Sequence, residues 1–156
     1  MEAPPSSFDR RLPAAGLALA GAAIAGYLGG YQLGWWRTVW EPFFNTGSIV
    51  ILHSSIARVL PVPDALLGAA AYLVELLLEM AGGPDRWRAQ PWLTRVNMAM
   101  VLGMGVGSVG LVAAQAFVFR AWCTLCLVSA ACSLAIVALS WPEIEAVFGG
   151  RVVEQG

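Results

Sequence analysis

From Val96 to Trp141 the chain is almost continuously apolar, and Arg120 is the only charged residue within it. Drawn as one α-helix, this run would reach about 69 Å at roughly 1.5 Å per residue, about twice the ~30 Å of a bilayer's hydrocarbon core. It must therefore fold back on itself, and the turn belongs at Arg120. Two more apolar stretches precede it, giving expected spans at about residues 13–33, 63–80, 96–119 and 122–141. Composition agrees, with 58% hydrophobic and 12% charged residues and a mean hydropathy of +0.69, where soluble domains carry about a quarter charged residues. The expected architecture is an all-α membrane protein, a four-transmembrane-helix bundle forming a single integral membrane domain over residues 1–156. The net charge of −1 points to no particular partner. There is no Lys/Arg cluster of the kind nucleic acid needs.

Arginine sets the orientation, because the chain has no lysine. Arg10 and Arg11 precede the first span, Arg86, Arg88 and Arg95 separate the second from the third, and Arg151 follows the fourth. Arg37, Arg58 and Arg120 fall on the other side. Six against three predicts both termini in the cytoplasm. Trp35, Trp36, Trp40 and Trp122 would mark the outer interface, and Trp87, Trp92 and Trp141 the inner one. Asp9-Arg10-Arg11 ahead of an apolar run, with Ala23-Ile24-Ala25 behind it, resembles a cleaved signal peptide. The run continues past Ala25 through Gly26-Tyr27-Leu28, so it reads as a retained span. Gly26, Gly30 and Gly34, and likewise Gly103 and Gly107, recur every fourth residue, a spacing that lets helix backbones approach closely.

Between the first two spans, Asn45-Thr46-Gly47-Ser48 is a turn and helix-start signal. Ile49, Leu52, Ile56 and Val59/Leu60 then repeat at helical spacing around His53, Ser54, Ser55 and Arg58. This predicts an amphipathic helix over about residues 48–60, lying on the outer membrane surface and ended by Pro61-Val62-Pro63. The predicted helix forms a lid over the mouth of the bundle.

Cys123-Thr124-Leu125-Cys126 is a C-x-x-C pair opening the fourth span. A helix N-terminus lowers a thiol pKa and favours the nucleophilic thiolate, and the expected topology puts the pair on the extracytoplasmic side, where disulfides persist. Cys132 lies six residues beyond Cys126 along the helix, too far to bridge either cysteine, and reads as an inert core residue. His53 is the sole histidine. A metal site needs three or four ligands, so no metal is expected. Glu75 and Glu79 share one face of the second span. An intramembrane carboxylate is a functional candidate by default; Glu75 reads either as a proton-handling group or as a partner of an inner-loop arginine, and its place away from the cysteines favours the structural role.

Four spans, a loop helix after the first and a C-x-x-C opening the fourth together resemble the vitamin K epoxide reductase family. Gly47-Ser48, then Val50-Ile51-Leu52-His53-Ser54-Ser55, then Pro61-Val62-Pro63 and Gly68 are similar to that family's loop pattern, and the likeness covers roughly residues 12–142. The resemblance implies a helix bundle around a quinone, whether menaquinone, ubiquinone or a related one, in a bacterial cytoplasmic membrane. It makes Cys126 the thiol facing the quinone and Cys123 the one met by incoming thiols. It also sets Ser54 near the quinone, with Ser55 in that role if the register slips by one. The implied partners are membrane-dissolved quinone and a thioredoxin-like extracytoplasmic protein or a larger membrane complex.

The chain departs from the family in one respect. Members usually carry two further loop cysteines, and here Ser48 takes the place of the second while the first falls near Pro42. Three function classes stay open: a quinone-linked membrane thiol–disulfide oxidoreductase using Cys123 and Cys126; a non-catalytic quinone- or lipid-binding accessory subunit of a larger membrane complex; and a small transporter or helper with no redox role.

Overall fold

The computed structural model of the chain describes residues 5–153, with side chains to residue 149. The side chain of Arg151, counted above for orientation, lies outside the described residues. Among these residues the protein is all-helical: α1 (Phe8–Gln32), α2 (Gly47–Leu52), a 3-10 turn (Ile56–Arg58), α3 (Asp64–Met80), α4 (Arg86–Ala89), α5 (Pro91–Ala114), a π-turn (Gln115–Phe119) and α6 (Thr124–Val153). Three helical stretches are long and apolar enough to cross a membrane: Phe8–Gln32, Pro91–Phe119 and Thr124–Gly149. α3 is shorter, at 17 residues.

The long apolar run reverses at Arg120. α5 loosens into the π-turn, Arg120 takes the left-handed conformation at φ 49°, and the Ala121 amide closes onto the Gln115 carbonyl at 3.2 Å. Left-handed backbone is uncommon for a residue with a Cβ. The reversal carries α6 back along α5.

The helices divide unevenly. α1 packs along α3 and α6, and α5 packs along α6, whereas α3 and α5 touch little. The shared core is built of small side chains and a few large ones: Ala14, Ala18, Ala25, Ala69, Tyr72, Val101, Cys132 and Ile136. Cys132 is a buried free thiol in that core.

Close helix approach uses other glycines than those the spacing singles out. A Cβ on Gly21 would strike the Tyr72 ring, one on Gly29 would strike Leu66, and one on Gly105 would strike Val137. Gly26, Gly103 and Gly107 meet nothing within 4 Å. The spacing identifies helix faces, but the partner's bulk decides which glycine on a face is pressed.

The lid helix also differs from expectation. It is not one helix over 48–60: α2 stops at Leu52, and a separate 3-10 turn follows from Ile56 to Arg58. The Ser54 hydroxyl accepts the Ala57 amide at 3.3 Å. A continuing α-helix would give that amide to the His53 carbonyl, so the serine side chain competes with the ladder. Of the expected apolar face only Leu52 is buried, while Ile49, Ile56, Val59 and Leu60 are exposed.

At the end opposite Arg120, two guanidiniums close the C-terminus of α3. Arg11 donates to the carbonyls of Glu79, Ala81 and Gly82, and Arg86 to those of Leu78 and Ala81. These are the carbonyls a helix end leaves without partners, and positive charge is favoured there. Arg86 also forms a two-pronged pair with Glu143 of α6, at 2.7 Å on each prong.

Candidate functional site

Cys123 and Cys126 are joined by a disulfide, their Cα atoms 5.2 Å apart. Side chains from three parts of the chain serve the first turn of α6. The Cys123 amide donates to Gln115 Oε1 at 3.0 Å, and the Cys126 amide to Cys123 Sγ at 3.1 Å. The Thr124 amide donates to Glu41 Oε2 at 3.0 Å. The Thr124 hydroxyl donates to Glu41 Oε1, and the Ser48 hydroxyl to Glu41 Oε2. A carboxylate at this position satisfies a terminal amide and meets the positive end of the helix.

Glu41 therefore latches the first loop onto the residue between the two cysteines. Burial raises its pKa, but the hydrogen bonds from Ser48 and Thr124 outweigh that and hold the carboxyl below its usual range. Gly47 presses the same contact, since a Cβ there would fall on the Trp122 carbonyl, and Phe44 packs its ring against Trp122. The result is that Cys123 and Ser48 are both 0% exposed.

Cys126 is only half-buried. It lines a cavity of about 110 Å³ together with Ser54, Asp64, Gln115 and Ser129 among apolar walls that include Leu28, Leu52, Leu111 and Phe119. Mostly apolar walls with a few placed polar groups are the usual make-up of a small-molecule site. Asp64 Oδ1 accepts Gln32 Nε2 at 2.7 Å, and the same Nε2 reaches the Leu52 carbonyl at 3.3 Å, tying α1, α2 and α3 at the rim. A groove of about 400 Å³ between α3 and α5 shares Asp64, Gly68, Ser108, Leu111 and Ser129 with the cavity. Gly103 and Gly107 line this groove instead of a helix contact.

The fold thus brings Ser54 and Cys126 to one cavity. Ser55 is exposed and does not line it, and Cys123 is fully buried. His53 is exposed, edge-on to Tyr31, with Nδ1 at 3.0 Å from the Ile49 carbonyl. Sequence reasoning passed over Glu41, Gln115 and Asp64. Gln115 carried a faint signal as an amide inside an apolar span. Glu41 carried none, since its partner Thr124 is 83 residues away.

The sequence profile of the Vitamin K epoxide reductase family matches residues 12–141, which takes in most of α1, the latched loop, α3, α5 and the disulfide. No curated protein matches the chain significantly. A match over most of the chain, with a C-x-x-C disulfide at the mouth of a helix bundle, places this protein in the vitamin K epoxide reductase family.

Proposed function

We propose that the protein is a quinone-linked membrane thiol–disulfide oxidoreductase whose redox pair is Cys123–Cys126. The observation that carries this reading is that Cys126 lines an apolar cavity while its partner Cys123 is buried beside Thr124, which Glu41 ties to the first loop. One sulfur is thus set for a lipid-dissolved molecule and the other for an incoming thiol. Ser54 and Gln115 line the same cavity and offer donors for a carbonyl-bearing ring, whether menaquinone, ubiquinone or a related quinone. A quinone bound there supplies an acceptor for two electrons and two protons.

In this reading α3 also crosses the membrane, as the second of four spans. Its 17 residues cover about 26 Å, and Arg11 and Arg86 close its inner end. Both termini are cytoplasmic and the disulfide faces outward, in a bacterial cytoplasmic membrane, with a thioredoxin-like protein as thiol partner. The first loop brings no cysteine, so the partner's thiolate attacks the Cys123–Cys126 disulfide directly. Attack at Cys123 requires the Glu41 latch to open.

A second reading draws on the same burial: with Cys123 at 0% exposure, the disulfide is a structural staple in a non-catalytic quinone-binding subunit. Differential alkylation of Cys123 and Cys126 in membranes, read by mass spectrometry, separates the two. A pair that is reduced by thiols and reoxidised on adding a quinone supports the enzyme. A disulfide that no quinone regenerates refutes it.

A further inference from the structure

The end of the bundle opposite the disulfide holds five buried charged groups: Glu75, Glu79, Glu143, Arg11 and Arg86, none more than 5% exposed. Exposed Arg10 lines the same cleft as Arg11, Glu79 and Glu143. Hydrogen bonding tells the three carboxyls apart. Glu143 accepts two bonds from Arg86 and one from Ser6. Glu79 accepts Asn97 at 3.2 Å and Ser140 at 3.5 Å, and lies 3.7 Å from Arg86. Glu75 is 0% exposed, and among the described residues neither of its oxygens accepts a hydrogen bond. A buried carboxylate without donors is far more costly than a buried neutral carboxyl.

Structure alone does not account for Glu75. The Arg86–Glu143 pair and the capped α3 terminus stand without it. Toward the cavity, the next polar side chain on this helix is Tyr72, set in the apolar core without a hydrogen bond to Glu75. Tyr72, one turn nearer the disulfide on the same helix face, bonds the Ser129 carbonyl at 2.5 Å and the Ser133 hydroxyl at 2.6 Å. Ser129 in turn lines both the cavity beside Cys126 and the α3–α5 groove.

We propose that Glu75 is an intramembrane proton carrier, linking the ionic cluster at the far face to the cavity beside Cys126 through Tyr72 and Ser129. This rests on the quinone-linked reading. As the Cys123–Cys126 bond forms, the two thiols give up two electrons and two protons, and the acceptor takes two of each. Glu75 delivers one proton to the cavity and is reprotonated from the far face. One thiol proton goes to the cavity, and the other leaves at the disulfide face. Each turnover then moves one positive charge across the bundle.

The test has two readouts on the full chain. In infrared spectra, wild type is expected to show a carboxylic-acid C=O band, shifted in D2O, that Glu75→Gln removes. Loss of a carboxylate band instead overturns the proposal. In lipid vesicles with reduced glutathione outside and a short-chain ubiquinone in the bilayer, only molecules with the disulfide outward turn over. Wild type is expected to draw a proton from the lumen for each quinol formed. Glu75→Gln is expected to abolish that signal and slow turnover about 100-fold, the low end for losing a positioned proton donor. Its disulfide should still be reduced at the wild-type rate, and Glu75→Asp should restore part of the turnover. An E75Q protein that turns over with the wild-type lumen signal overturns the proposal. Should E75Q fail to fold, Tyr72→Phe and E75D serve instead, and a Y72F protein with wild-type turnover and lumen signal overturns it equally. Wild type that reduces no quinone refutes the underlying reading, and the infrared band still decides whether Glu75 holds a proton.

Discussion

Removing Glu41 should expose Cys123 without unfolding the bundle. Its carboxylate accepts hydrogen bonds from Ser48 Oγ, the Thr124 amide and Thr124 Oγ1. The bond to the amide is a helix cap, and caps contribute about 1 kcal/mol. The two hydroxyl bonds, partly screened because Glu41 is not fully buried, add roughly another 1 kcal/mol together. Losing about 2 kcal/mol shifts the opening equilibrium of the loop by about 30-fold. If reductant reaches the disulfide through that opening, Glu41→Ala should be reduced about 30-fold faster than wild type. Glu41→Gln keeps one acceptor and loses roughly half of this, so its gain should be about fivefold.

A water-soluble phosphine, which needs no thiolate, is the suitable reductant. Timed quenching with a maleimide and mass spectrometry then count labelled Cys123 and Cys126, while buried Cys132 reports on global unfolding. Because the hydrogen bonds hold the Glu41 pKa below its usual range, the latch is in force above that range and is lost as pH falls through the lowered value. Wild type should therefore accelerate at acid pH toward the rate of E41A, which should itself stay flat. Equal rates for E41A and wild type at neutral pH would refute the argument and place the attack at Cys126, through the cavity.

Other consequences can be checked separately. Gly47→Ala forces a Cβ onto the Trp122 carbonyl and should cost about 1–3 kcal/mol as overpacking, lowering the melting temperature and raising Cys123 labelling. Arg86→Leu leaves Glu143 buried without its guanidinium and strips the Leu78 carbonyl of its donor; a loss of about 3–5 kcal/mol should appear as a large fall in thermal stability in micelles. Ser54→Ala should raise the KM for a short-chain quinone several-fold with little change in phosphine reduction of the disulfide. Cys132→Ser should leave quinone-dependent reoxidation intact, whereas Cys126→Ser should abolish it.

The residues that sequence reasoning recovers are those whose meaning is local. The C-x-x-C declares itself by spacing, and the reversal at Arg120 follows from helix length against bilayer thickness. Helix faces follow from period, which sets Glu75 and Glu79 together and apart from the cysteines. What it missed depends on pairs distant in the chain. Glu41 matters because the fold sets it at Thr124, and Gly21 rather than Gly26 is pressed because Tyr72 lies opposite. The break of the lid helix at His53 to Ser55 was local, but periodicity of the apolar residues masked the competing serine hydroxyl.

The weak packing between α3 and α5 bears on kinetics. In the proposed quinone-linked reading, a molecule diffusing sideways in the bilayer would reach the cavity through that seam, while a soluble thiol would lift the loop from above. The two reactants then have separate doors. A compound wedged in the seam and a binder gripping the loop would not exclude each other, and each should act as a noncompetitive inhibitor toward the reactant that uses the other door.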